Sequence, residues 1–314
     1  MPTKLSEVWP AIERVARAEE VVHVGASDIE DAHAALFEEW IERGHHASMS
    51  YLAKNAAIRS NPRERFPWAQ SAIVILVPYS PSRPDAPDGA LSNHLARYAL
   101  GDDYHDVLER ILRKLEETLP GVKTWRYVDT GPLSDRALGA QAGLGWIGKN
   151  GMLIHERDGS YFFIGTLLTA LENDIDATVV TDRCGTCTRC LDACPTDAIL
   201  PDRTLDSAHC ISYATIEHRG PLDAHVAAHL DGNAFGCDIC QEVCPWNRRA
   251  PDAHPSFAPR DEYRATPVTD LLRFAQSDFS ALFTKSAIKR AKLAGMLRNV
   301  EALTARDDRG KLGS

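Results

Sequence analysis

Cys184-Gly-Thr-Cys187-Thr-Arg-Cys190-Leu-Asp-Ala-Cys194-Pro195, then a lone Cys210, then Cys237-Asp-Ile-Cys240-Gln-Glu-Val-Cys244-Pro245, hold all eight cysteines of this 314-residue chain. Crowded thiols have two ordinary uses, disulfides and metal. Residues 1–20, MPTKLSEVWPAIERVARAEE, read as an amphipathic helix of mixed charge with no apolar h-region, unlike a secretory signal. A cytoplasmic location is therefore expected. Thiols there stay reduced and free to take metal.

The spacing then selects the metal. In the run Cys-x2-Cys-x2-Cys-x3-Cys-Pro, three cysteines hold one [4Fe-4S] cluster and the fourth ligates the other. That rule assigns Cys184, Cys187, Cys190 and Cys244 to a first cluster, and Cys194, Cys210, Cys237 and Cys240 to a second. No thiol is left over. Structural zinc also uses Cys-x2-Cys pairs, but it does not call for a third cysteine two residues on or a proline after the last. The pattern describes an electron carrier, or an enzyme with a two-cluster wire.

The chain is too long for a bare ferredoxin and allows two or three domains. Its 44% hydrophobic and 25% charged content is ordinary for a soluble protein. The longest strongly apolar stretch, Ile73 to Val77, is strand-sized, so no membrane span is expected. A net charge of -9 argues, taken alone, against a nucleic-acid partner. Yet Lys285, Lys289, Arg290, Lys292 and Arg298 crowd one stretch, and Arg59, Arg63 and Arg65 another. By itself a basic run is usually a solvated helix face.

Residues 1–178 alternate helical and extended patterns, giving an α/β or α+β domain. Helical spacing recurs in 5–19, 31–43, 103–118 and 134–142. Strand candidates are Val21–Val24, Ala72–Val77, Lys123–Val128, Met152–His155 and Tyr161–Leu168. Pro78 to Gly89 reads as a surface loop. Residues 179–252 are short loops around cysteines, a ferredoxin-like two-cluster domain. Residues 253–314 form a short C-terminal helical segment, with LLRFAQ (271–276) and SAIKRAKLAGMLRNV (286–300) as apolar cores.

Gly143-Leu-Gly145-Trp-Ile-Gly148-Lys149 fits both G-x-G-x-x-G and G-x-x-x-x-G-K. The dinucleotide reading needs a strand before and a helix after, and the flanking patterns here are the reverse. The phosphate-loop reading needs Ser or Thr after the lysine, where this chain has Asn150. The glycines instead let the backbone pass close to something flat or bulky.

Six segments carry a resemblance: Arg97-Tyr-Ala-Leu-Gly-Asp-Asp-Tyr104-His105, Val128-Asp129-Thr130-Gly-Pro, Ala142 through Asn150, Cys210-Ile-Ser212-Tyr213, Gly236 through Asn247, and Ser286-Ala-Ile-Lys-Arg290. Together, from about residue 45 to residue 300, the chain resembles the epoxyqueuosine reductases, tRNA-modification enzymes related to reductive dehalogenases. The resemblance implies a nitroreductase-like α/β domain gripping a base-off cobalamin, fed by two [4Fe-4S] clusters. It implies reduction of epoxyqueuosine to queuosine at the tRNA wobble position, the last step of queuosine biosynthesis, with cob(I)alamin charged by the clusters.

By the same resemblance Asp129 is the proton donor and lies in the cofactor pocket, where Arg59, Lys149, Ser212, Tyr213 and Asp238 also fall. Read from the residues alone, Asp129 serves equally as a cap or as the start of the Thr-Gly-Pro turn. No Asp-x-His-x-x-Gly signature is present, which suits a base-off mode without a histidine ligand; His105 is the histidine to test as a cofactor neighbour. Lys285, Lys289, Arg290, Arg298 and Arg248, beside Arg249, are the expected tRNA contacts, with Trp246 as a stacking platform. An external electron donor and a monomer are expected. Two other readings are a corrinoid reductase of organohalides and a two-cluster electron carrier without a substrate.

Overall fold

The strand from Ser71 to Pro78 is buried along its whole length, as an unbroken Ile-Val-Ile-Leu-Val run requires. The computed structural model describes residues 2–30, 33–79 and 82–311, and the side chains of 306–311 are left aside. Its strands are β1 (His23–Asp28), β2 (Ser71–Pro78), β3 (Thr124–Tyr127), β4 (Trp146–Ile147), β5 (Leu153–Ile154) and β6 (Phe162–Thr169). Four of them make a sheet ordered β1-β2-β6-β3, antiparallel at every pairing; β4 and β5 pair separately.

Side chains alternate across β2 with the period of two that a strand imposes. Ile73, Ile75 and Val77 join a cluster with Leu5, Ile12, Leu108 and Ile111. Ala72, Val74 and Leu76 join another with Phe66, Tyr127, Leu138 and Leu144. The first helices are α1 (Trp9–Ala18), α2 (Ala34–Glu42), α3 (Ser50–Lys54), α4 (Ala56–Ser60), α5 (Tyr104–Glu116) and α6 (Asp135–Gln141). Helices α1 and α5 cover the first face and α6 the second. Truncating a fully buried residue such as Ile75 to alanine costs about 2–5 kcal/mol.

Each strand candidate overlaps a strand. The first runs on to Asp28, because Gly25-Ala-Ser27, poor strand formers, pair in register with Val74 to Ala72. Helix α2 falls within 31–43, of which Asp31 and Ala32 lie outside the described residues, as do Ser80 and Pro81 of the Pro78–Gly89 loop. The glycine run is preceded by α6 and followed by the β4–β5 hairpin. Gly145 has φ +148°, and a Cβ there would stand 2.1 Å from the Ile154 carbonyl oxygen. What passes so close is the chain's own next strand, not a ligand.

The cysteine-rich stretch carries only short helices, α7 (Arg189–Asp192), α8 (Ile211–Ile216), α9 (Ala224–Ala228) and α10 (Ile239–Glu242). Helices α11 (Asp261–Ala265), α12 (Gln276–Leu282) and α13 (Lys292–Lys311) follow. They share one core with the first half: Tyr263, Phe279, Phe283, Ile288, Met296 and Val300 pack with Leu91, Leu95, Leu100 and Phe235. The hydrophobic cluster thus crosses the boundary expected at residue 253. Among the described residues no helix is long and apolar enough to cross a membrane.

Candidate active site

At the end of β3 the chain turns sharply, and Asp129 adopts φ +52°. Aspartate is one of the few residues that visit this left-handed region, because its short carboxylate can bond locally. The loop is held from behind. The Tyr127 hydroxyl lies 3.0–3.2 Å from the carbonyl oxygens of Asp129, Gly131 and Leu133. Arg59, at the end of α4, donates to Leu133 O at 2.7 Å and Gly131 O at 2.6 Å. With its backbone fixed, the Asp129 side chain stands 66% exposed.

One phenol meets that carboxylate. Tyr104 donates to Asp129 Oδ2 at 2.6 Å, and its ring lies flat on Phe163, 4.6 Å between centroids. Burial, then the charge of Asp129, pushes the Tyr104 phenol far above its ordinary value, so it stays protonated as the donor. Asp103 caps α5 through the His105 amide at 3.0 Å and accepts from the ring at Nδ1, 2.8 Å away. His105 Nε2 lies 3.1 Å from Thr130 Oγ1 and 3.9 Å from Asp129 Oδ2. Burial alone would lower the His105 pKa; Asp103 and then Asp129 outweigh it and raise it.

Two neighbours escaped sequence reasoning. Burial pushes the Asp135 carboxyl well above the usual range, with Asp129 adding to it, and its Oδ1 has no hydrogen-bond partner. It sits in the first turn of α6. Burial also raises the Tyr98 phenol, followed by the charges of Asp129, Asp238 and Glu217. Tyr98 therefore marks the space where the Asp129 loop faces the cysteine-rich half.

Residues 45–60 bridge the two sides. The Tyr213 hydroxyl bonds Ser48 Oγ at 2.6 Å and accepts from the Ser48 amide at 3.1 Å. Ser207 N donates to His45 O, and Trp40 Nε1 to Leu205 O. Tyr51 stands between Arg290 and the Asp129 loop, close enough to feel Glu217, Arg290, Asp129 and Arg59. The bridge ends at Arg59. A continuous chain of contacts thus runs from Cys210-Ile-Ser212-Tyr213 through Ser48 to the Asp129 turn.

The thiols fall into two groups. Burial raises Cys190 and Cys244; beyond burial, both feel Cys184, while Cys190 also feels Cys244 and Cys244 feels Cys187. One pocket is lined by Cys184, Cys187, Cys190 and Cys244 together. Cys210, Cys237 and Cys240 are likewise raised by burial. Beyond it, Cys210 feels Cys194, Cys237 feels Cys210 and Cys194, and Cys240 feels Cys237, Cys210 and, across the gap, Cys190. The nearby amides of Tyr213 and Ser212 offset part of the rise that burial gives Cys210.

Several expected contacts have other work in the structure. Lys149 donates to Gly185 O at 2.8 Å and Cys187 O at 2.9 Å, so it braces the first thiol loop. Asp238, 2% exposed, accepts from the Arg97 amide at 2.8 Å and joins the second thiol loop to the segment leading into α5. Trp246 packs at right angles to Trp146 and lines the first thiol pocket. Arg298 donates to Ala214 O, His218 O and Gly220 O. Arg290 is paired bidentately with Glu217 at 2.8 Å. Lys285, Lys289 and Arg248 remain exposed.

An α/β unit carrying a braced acid, joined to a unit gathering eight thiols, has the construction of an iron–sulfur oxidoreductase. Residues 183–247 match the 4Fe-4S double cluster binding domain family, and residues 59–130 match the family described as Epoxyqueuosine reductase QueG, DUF1730. An epoxyqueuosine reductase of Leadbetterella byssophila is 38% identical over 282 residues, covering 88% of this chain and 91% of its own length. One from Synechocystis is 39% identical, covering 87% and 95%. A crystal structure of epoxyqueuosine reductase with a tRNA-Tyr epoxyqueuosine-modified stem loop superposes with a TM-score of 0.86 at 29% identity, over 96% of this chain and 82% of the other. The chain belongs to the epoxyqueuosine reductase family. That membership sets aside both the organohalide reductase and the substrate-free electron carrier.

Proposed function

We propose that this protein reduces epoxyqueuosine on tRNA to queuosine. The reaction takes two electrons and two protons, replaces the epoxide by an alkene and releases its oxygen as water. The observation that carries the reading is family membership along nearly nine-tenths of the chain. The two thiol groups hold one [4Fe-4S] cluster each, with Cys184, Cys187, Cys190 and Cys244 on the first and Cys194, Cys210, Cys237 and Cys240 on the second.

A base-off cobalamin would lie between the Asp129 loop and the Cys210 segment. Four buried polar atoms of the 45–60 bridge, His45 Nε2, His46 Nδ1, Arg59 Nε and Ser60 Oγ, have no partner among the described residues. Buried polar atoms need one, and the amide fringe of a corrin supplies it. When bound, the corrin supplies a strongly nucleophilic two-electron reductant, and the clusters supply electrons singly.

The chain's own residues do the rest. Tyr104 occupies Asp129 Oδ2, which leaves Oδ1 as the oxygen that passes a proton to the epoxide oxygen, since an alkoxide leaves poorly. Arg59 and Tyr127 keep that carboxyl in place. Ser212 and Tyr213 orient Cys210 at the inner end of the wire, while Lys149 and Asp238 position the two thiol loops. Residues 1–178 act as the nitroreductase-like corrin domain and 179–252 as the electron-delivery domain, closed off by 253–314. Lys285, Lys289 and Arg248 meet tRNA phosphates, and the protein works as a cytoplasmic monomer with an external donor.

The test is anaerobic incubation of corrin-loaded protein with an epoxyqueuosine-containing anticodon stem loop and a low-potential reductant, with nucleosides read by mass spectrometry. Conversion to queuosine is expected. Intact substrate alongside full corrin and iron occupancy overturns the proposal.

A further inference from the structure

His23 opens β1, while His155 and Asp158 belong to the tight turn between β5 and β6. Asp158 Oδ2 lies 2.6 Å from His23 Nε2 and 3.2 Å from His155 Nδ1. The two imidazoles stack, 3.6 Å between centroids at 28°. All three ligand-type atoms lie within 4.8 Å of one another. Their side chains keep 19%, 15% and 27% exposure for His23, His155 and Asp158, enough for water to reach them.

A hairpin clasp needs only the His23–Asp158 hydrogen bond. The second imidazole adds something a clasp does not use. The Arg157 amide makes only a long contact to His155 Nδ1, 3.4 Å, which leaves a lone pair there that a cation can take in the amide's place. That nitrogen and a carboxylate oxygen lie 3.2 Å apart, and a cation between them turns the contact favourable.

We propose that His23 Nε2, His155 Nδ1 and Asp158 Oδ2 form a site for a divalent transition ion of the zinc type, completed by water. Two imidazoles and a carboxylate suit such an ion, whereas calcium and magnesium take oxygen shells. Tetrahedral zinc at its usual bond lengths sets neighbouring ligand atoms roughly 3.3 Å apart, close to the 3.2 Å between His155 Nδ1 and Asp158 Oδ2, and the His23–Asp158 contact opens by under about 1 Å. The site lies where edge strand β1 meets the turn between β5 and β6. It pins edge strand β1 to the turn that leads into Ser160, whose amide bonds Asn247 Oδ1 at 2.6 Å, just past Cys244. The ion would fasten the seat of the first thiol group.

The test uses anaerobically purified protein with its clusters in place, treated with chelator, then dialysed against zinc sulfate. Metal content and zinc-edge X-ray absorption are measured beside an H155Q/D158N variant of unchanged cluster absorbance. Expected is about one zinc per chain, bound by nitrogen and oxygen at ~2.0–2.1 Å and absent from the variant. Sulfur scatterers at ~2.3 Å would place the ion in the thiol groups and overturn the proposal. So would no zinc in the wild-type protein, a result that needs no variant, or equal zinc in both proteins.

Discussion

The Tyr104 hydroxyl and Asp129 Oδ2 lie 2.6 Å apart, joining the first turn of α5 to a left-handed residue at the end of β3. Left-handed backbone disfavours most residues by about 1–2 kcal/mol. Here Tyr127 and Arg59 hold the turn, so the exposed carboxylate is aimed without its own backbone having to relax. A cap or a simple turn residue would not need a buried phenol.

Asp129→Asn separates the chemical role from the conformational one. Asparagine also tolerates the left-handed region, so the loop should keep its shape and the protein its iron and corrin. Removing the acid should lower turnover by about 10²-fold or more. Single-turnover rates with both absorption spectra unchanged would bear this out. Wild-type turnover would return Asp129 to the role of a turn residue.

Tyr104→Phe asks how much the phenol matters once its ring is kept. The stack on Phe163 survives, and only the hydrogen bond to the carboxyl disappears. With the carboxyl no longer held in position, turnover should fall by about 10-fold to 10²-fold. The apparent melting temperature should barely move. Stopped-flow kinetics beside thermal melts decide it; a large melting shift with unchanged turnover would make Tyr104 purely structural.

The sequence was most legible where one physical rule covers a whole element. Five apolar residues in a row can only sit in a doubly buried strand, and β2 is that strand. The cysteine spacing brings Cys184, Cys187, Cys190 and the distant Cys244 to one set, and those four line one pocket of the folded chain. Long-range partnerships were not legible. Nothing near Lys149 shows that its ammonium will find the Gly185 and Cys187 carbonyls, nor near Asp238 that the Arg97 amide will claim its carboxylate. Tyr104 and Asp135 were invisible for the same reason: each looks like ordinary first-turn material until β3 delivers Asp129 beside it.

The stability of the site should depend on pH through His105. Its folded pKa is raised above the ordinary histidine value because Asp103 and Asp129 outweigh burial. The protonated ring therefore stabilises the fold; that contribution is complete below about pH 6.5 and disappears as pH rises through the higher folded value. His105→Gln should cancel this dependence. The gap in apparent melting temperature between wild type and variant should be widest near pH 6 and shrink by about pH 8. A gap that widens with pH would mean the ring is held neutral.

Salt dependence sorts the basic residues of the C-terminal segment. Every phosphate that a lysine or arginine no longer neutralises lowers the slope of log affinity against log salt by about 0.7 for single strands and 0.9 for duplex. Exposed Lys285 and Lys289 are free to pair with phosphates, so K285A/K289A should flatten the slope by about 1.4 to 1.8. Arg298→Ala should behave differently. Its guanidinium holds the Ala214, His218 and Gly220 carbonyls around the end of α8, so its removal should lower the melting temperature and leave the slope alone. Stem-loop binding between about 50 and 200 mM salt gives both slopes. An unchanged slope in the lysine pair, or a reduced one in R298A without loss of stability, would move the tRNA face elsewhere on the protein.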